Sequence, residues 1–219
     1  MRSDEIHVID QTANFVKNEL TGAEGGHDWW HIYRVWQLAR KIAAEENANL
    51  FVVNLGALLH DIADAKFFDG DETVGPKKAA EFLHSLRVSE KIINKVLNII
   101  RFVSFKNRND KPEENSIELQ IVQDADRLDA MGAIGIARAF NYGGFKKREI
   151  YNPEIPPNLK MSKAEYKKGQ SPTINHFYEK LLLLKDTMHT QTGKQIARDR
   201  HLFMEQFLQE FYAEWNGER

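Results

Sequence analysis

The 219-residue sequence contains no cysteine. That absence excludes a disulfide framework, a Cys-ligated zinc site and a thiol nucleophile, and it agrees with a reducing compartment. The sequence also lacks any apolar run of membrane-spanning length, and Met1-Arg2-Ser3-Asp4-Glu5-Ile6 does not lead into the apolar stretch of a secretory signal. A soluble cytoplasmic protein with no membrane partner is therefore expected. A large excess of positive charge is missing as well: 30 Lys and Arg stand against 32 Asp and Glu, a formal net charge of −2. No global field draws a polynucleotide, so none is expected as a partner, while small phosphorylated ligands need only a few local cations. Proline is scarce, and four of the six prolines fall between residues 141 and 172.

What is present is helical spacing. Ile6, Ile9, Ala13, Val16 and Leu20 step by three or four, and Trp29, Tyr33, Trp36, Leu38 and Ile42 form a broad stripe. Asp4 or Ser3, and then Asp28, are suitable N-caps. Further helices are expected from about Leu50 to Asp61, from near Pro76, across Ile92 to Ile100, from Ile117 through Asp126 to Phe140, from Thr173 to Thr187 and from Lys194 to Trp215. In the helix from Ile117 to Phe140, Gly132 and Gly135 suggest close helix packing more than a break. No alternating strand pattern is found, so the fold class is all-α, a single helical domain over residues 1–219. Residues 141–172 form a long connection of the kind that serves as a lid, an Ω-loop or a disordered segment.

Ionisable groups occur where core helices should be. His60-Asp61 ends the apolar run around Leu58-Leu59, and Asp124, Asp126 and Asp129 stand among Ile121, Val122, Leu128, Ala130 and Met131. Burying such groups is costly unless they are paired or hold an ion. With His31 they make a set of two imidazoles and two or more carboxylates, enough for one divalent metal. Adjacent His60 and Asp61 diverge by about 100° on a helix, so both reach one ion only if it lies between their directions or the helix is ending. The loop signals Phe68-Asp69-Gly70-Asp71 favour an ending. The other His-Asp pair, His27-Asp28, reads more simply as a helix start. His27 and His31 are spaced as in zinc-binding helices, but the Glu of that motif is missing. Asp126 and Asp129 share a helix face, with Asp124 pointing elsewhere. Arg127 neutralising one of them structurally is the competing reading.

His31 with Arg34-Val35, then His60-Asp61, then Asp126 within Asp124-Ala125-Asp126-Arg127-Leu128-Asp129 resembles the H…HD…D pattern of the HD-domain metal-dependent phosphohydrolases. The stretches 27–35, 58–64 and 126–133, and Asn175-His176-Phe177-Tyr178-Glu179-Lys180-Leu181, resemble the small bacterial branch that includes nucleotide pyrophosphatases. The resemblance implies an HD-type helical bundle with His31, His60, Asp61 and Asp126 as metal ligands. Mn²⁺ is favoured, with Fe, Co, Ni, Zn or Mg as alternatives, because imidazole nitrogen argues against a purely oxygen-loving ion. It further implies Asp64, or Asp61 itself, as the carboxylate that activates water, with Asp129 bracing His31 or His60.

Phosphate charge needs cations. Arg34, Lys66 and Arg127, each within a turn or a short loop of a proposed ligand, are the named contacts. Lys146 and Lys147, beside Arg148, are placed to close over a triphosphate, and Lys180 and Arg200 are further candidates. Each alone also reads as a surface charge. Trp30, Tyr33, Phe67, Tyr142 and Tyr151 either stack a base or fill the core, and His84, His189 and His201 read as structural or exposed. The expected reaction is hydrolysis of a nucleoside triphosphate to monophosphate and pyrophosphate. The alternatives are a phosphomonoesterase, a cyclic-phosphodiester hydrolase or a non-catalytic metal and nucleotide sensor. The long loop and the aromatic C-terminal helix permit a homodimer.

Overall fold

Leu50–Leu59 is apolar on every side, and a helix of that kind must be enclosed by others. The computed structural model describes residues 1–22, 28–63, 71, 73–103, 112, 114–159 and 171–219. Among them all regular structure is helical: α1 (Ser3–Glu19), α2 (Trp29–Glu45), α3 (Leu50–Leu59), α4 (Val74–Ser85), α5 (Glu90–Phe102), α6 (Ile117–Asp129), α7 (Gly132–Phe145), α8 (Asn175–Glu179), a 3₁₀ helix (Leu181–Thr187) and α9 (Gln191–Trp215). The chain forms two compact units. One holds Met1–Asp126 with His189–Gly193, the other Arg127–Met188 with Lys194–Arg219. Among the described residues no helix is long and apolar enough to cross a membrane.

In the first unit α3 is the enclosed helix, packed by α1, α2 and α5. Val52, Val53, Leu55, Ala57, Leu58 and Leu59 are all buried, each large side chain contributing about 2 kcal/mol of apolar transfer. Gly56 is where α5 comes closest, since a Cβ there would meet Ile99 Cδ1 at 2.7 Å. The Asn49 side chain accepts from Phe51 N and Val52 N to start α3, and Asn49 N donates to Glu118 at 3.1 Å. Asn54, the polar residue of this helix, is satisfied by Trp36 Nε1 of α2 at 2.6 Å, so the α2–α3 contact carries a directional bond as well as apolar area.

The second unit corrects one expectation. The single helix foreseen across residues 117–140 is two, α6 and α7. Met131 is extended and Gly132 adopts φ +67°, a left-handed geometry that L side chains resist and that reverses the chain. Gly135 follows from the same turn, because a Cβ there would clash with the Ala130 carbonyl. These glycines make the break. The segment 173–187 is helical as expected, but α8 lasts little more than one turn before Lys180 leaves the α region and Leu181–Thr187 continues as 3₁₀. Phe140, Phe177 and Phe207 form an aromatic core with ring centres 5.8–6.1 Å apart. Tyr151, half-buried, packs edge-on against Phe211, Tyr212 and Trp215, whereas Trp30, Tyr33 and Tyr142 are exposed. Burial beside Tyr178 and Tyr151 raises the Tyr212 phenol above its ordinary range.

Candidate metal centre

His31 lies in the first turn of α2. The helix starts where the sequence expects, with the Asp28 carboxylate accepting from His31 N at 2.9 Å. His60 follows the last residue of α3, so the helix is indeed ending at the His-Asp pair. Its Nδ1 sits 2.9 Å from the Ala57 carbonyl. A carbonyl only accepts, so Nδ1 carries the hydrogen, and in the neutral ring Nε2 presents the lone pair. That Nε2 is buried and, among the described residues, has no hydrogen-bond partner.

The lone pair faces a carboxylate. Asp126 Oδ1 on α6 is 3.9 Å from His60 Nε2 and 3.5 Å from His31 Nε2, and the two imidazoles meet edge to face with centres 5.4 Å apart. The ligand atoms of all three residues lie within 4.8 Å of one another. Two donors about 2.1 Å from a shared ion stand roughly 3–3.5 Å apart, so the Asp126 separations of 3.5 and 3.9 Å are within a few tenths of an ångström of a coordinated pair. Without an ion, a buried acceptor nitrogen beside a carboxylate oxygen is unfavourable. The residues therefore fit a divalent ion. Both imidazoles are almost fully buried while 28% of the Asp126 side chain is exposed, so access comes on the carboxylate side. Two nitrogens and an oxygen suit the borderline first-row ions.

The other predicted residues divide. Asp61 is half-buried and is not among the three ligands gathered within 4.8 Å. Arg34 is half-buried on α2, one turn beyond His31. Arg127 is buried and donates to the Thr187 carbonyl. Lys146 and Lys147 are exposed at the end of α7, with Lys146 Nζ 5.6 and 5.0 Å from the Tyr142 and Phe145 rings. Asp64 and Lys66, like His27 and Phe67, lie outside the described residues.

The three neighbouring aspartates have three different employments. Asp126 belongs to the centre. Asp124, wholly buried, accepts from His189 N, Thr190 N and Thr190 Oγ1 at 2.9, 2.8 and 2.7 Å. Asp129 pairs with Arg138 of α7 at 2.6 Å and also acts on Arg200, whose guanidinium burial shifts below its ordinary value. Asp129 is expected to brace His31 or His60; at His60 Nδ1 the acceptor is the Ala57 carbonyl, at 2.9 Å. Ala57 was not legible as a site residue because a backbone carbonyl leaves no mark in a sequence. Thr190 could have been noticed, since its hydroxyl accepts from Gly193 N at 2.9 Å, the signature of a helix cap.

Residues 29–131 match the HD domain family, a span that begins just before His31 and ends just after Asp126. The chain is 38% identical over 214 residues to the Bacillus subtilis protein YpgQ, covering 97% of this chain and 96% of YpgQ. The chain belongs to the HD-domain phosphohydrolase superfamily. Among solved structures, this HD-domain protein is similar to an HD-superfamily hydrolase from Bacillus thuringiensis, at 44% identity and a TM-score of 0.79 over 97% of this chain and 98% of that one. It is also similar to YpgQ in complex with ADP, at 34% identity and a TM-score of 0.75 over 96% of each chain. The span that matches the HD domain contains His31, His60 and Asp126, the cluster that could hold a metal ion.

Proposed function

We propose that this HD-domain hydrolase is a metal-dependent phosphohydrolase of the cytoplasm that cleaves small nucleoside triphosphates to monophosphate and pyrophosphate, with residues 1–219 acting as one functional domain. The observation that carries the reading is His60: buried, its Nδ1 on the Ala57 carbonyl, and its Nε2 3.9 Å from Asp126 with no hydrogen-bond partner among the described residues. The ADP bound to the similar YpgQ supports a nucleotide as ligand.

In this reading His31, His60 and Asp126, joined by Asp61, hold the ion, which we take to be Mn²⁺. When bound, such an ion supplies Lewis acidity that polarises a phosphoryl oxygen and lowers the pKa of water. The chain does the rest. Water attacks the α-phosphorus, the bond to the bridging oxygen breaks, and pyrophosphate departs. The proton released by water passes to a carboxylate, for which Asp64 is our first choice and Asp61 our second. Arg34 and Lys66 neutralise the phosphate chain. Arg127, committed to the Thr187 carbonyl, acts through packing, and Lys146 and Lys147 steer the anionic substrate from solvent.

The test is a product assay on chelator-stripped protein against ribo- and deoxyribonucleoside triphosphates and monophosphates, with Mn²⁺ restored. Pyrophosphate and monophosphate in equal amounts are expected. Orthophosphate alone, or no turnover of any nucleotide by Mn²⁺-loaded protein, would contradict the assignment.

A further inference from the structure

His31 has a buried flank and an open flank on α2. At about 100° per residue, Ile32 and Val35 lie to one side of it, and both are wholly buried. Trp30 and Arg34 lie to the other side, four residues apart and therefore neighbours on the helix surface. This side faces outward: Arg34 is half-buried, and Trp30 is 60% exposed. Trp30 thus adjoins a residue of the candidate metal centre without belonging to the core, because Ile32, Val35, Ala39 and Ile42 fill the inward face of α2.

A tryptophan ordinarily buries most of its surface, so an indole held in solvent forgoes that stabilisation. What supports it is a row of rings. Trp30 meets Tyr33 edge to face, with centres 5.9 Å apart and planes at 81°. Tyr33 meets Trp29 and Trp36 at 6.2 and 6.4 Å, and Trp36 is tied to Asn54 of α3 by a hydrogen bond of 2.6 Å. An edge-to-face contact takes up at most one face of the indole, which leaves the other for a flat ligand. One turn along α2, about 5–6 Å between Cβ atoms, separates Trp30 from Arg34, a spacing that leaves room for a pentose between a base on the indole and a phosphate on the guanidinium.

We propose that Trp30 is the residue on which the base of the nucleotide stacks, with the phosphate chain directed past Arg34 toward His31 and the rest of the metal centre. The inference rests on the nucleotide-hydrolase reading and adds to it the residue that holds the base. Stacking uses the π-face that every base has, so Trp30 supplies affinity for a nucleobase without choosing which one, and nucleoside triphosphates as a class are favoured over phosphate chains that carry no base.

The experiment compares two ligands by titration calorimetry on the full chain with excess Mg²⁺: ATP with a methylene group in place of the α–β bridging oxygen, which binds without being cleaved there, and inorganic tripolyphosphate, which has the phosphates and no base. Wild type should bind the nucleotide about tenfold or more tighter than tripolyphosphate. Trp30→Ala should weaken the nucleotide by about the same factor and leave tripolyphosphate unchanged, while Trp30→Phe, which keeps a ring, should retain most of the affinity. With 5-fluorotryptophan in the chain, the ¹⁹F signal that is missing from Trp30→Phe should shift with the nucleotide and stay in place with tripolyphosphate. Equal wild-type affinity for the two ligands overturns the proposal while leaving the hydrolase reading intact, as does a Trp30→Ala loss that is the same for both or absent for both. Wild type that binds neither ligand overturns the nucleotide reading and this inference with it. The wild-type comparison decides the matter even if a variant fails to fold.

Discussion

The Asp124 carboxylate receives both the backbone N–H and the hydroxyl of Thr190, at 2.8 and 2.7 Å, two residues before the candidate metal ligand Asp126. It takes the His189 N–H as well, so a wholly buried acid is satisfied by the turn that starts α9. Asp124→Ala strands those donors in the interior and should cost about 3 kcal/mol. Thr190→Val should cost about 1–2 kcal/mol, and Thr190→Ser, which keeps the hydroxyl, much less. Denaturant unfolding of the three variants checks the order. Equal stability of all three would remove Asp124 from the account.

Gly132 and Gly144 should respond to alanine in opposite senses. Gly132, at φ +67° and with Arg200 Cγ 3.0 Å from where a Cβ would lie, should lose about 1–2 kcal/mol. Gly144, inside α7 with nothing within 4 Å of an added Cβ, should gain up to about 1 kcal/mol. Thermal melts of the two variants measure the sign directly.

His176 makes stability depend on pH. Its folded pKa, about 3, is below the ordinary value near 6.5. The unfolded chain therefore binds the proton first, and stability present above pH 6.5 is lost as pH falls toward 3. The slope from this one group is on the order of 1 kcal/mol per pH unit. In His176→Gln that part of the acid slope between pH 6 and 4 should vanish. An unchanged slope in the variant would contradict the assignment.

Helix positions were largely legible, because apolar spacing and caps such as Asp28 are local signals. The break between α6 and α7 was not, since a glycine needed for positive φ and a glycine needed for packing look alike in a sequence. The three aspartates on α6 show the same limit at the site. Their unfavourable setting among Ile121, Val122 and Leu128 marked them as employed. Which one takes Thr190, which His31 and His60, and which Arg138 depends on partners far away on either side in the chain, from His31 to Thr190. His60 and Asp126 were found because the pattern around them is shared with a family. The Ala57 carbonyl that orients His60 needed the folded backbone.

The most direct test of the central claim is Mn²⁺ binding, by electron paramagnetic resonance and by thermal shift, on chelator-stripped wild type, His60→Gln and Asp126→Asn, with nucleotide turnover read on the same samples. The account predicts stoichiometric binding by wild type, a stability gain of about 2.7 kcal/mol at a hundredfold excess over Kd, and turnover that appears only with the ion. Both variants should fold and lose binding, stabilisation and turnover together. Undiminished Mn²⁺ binding by both variants, or full wild-type turnover in chelator, would contradict it.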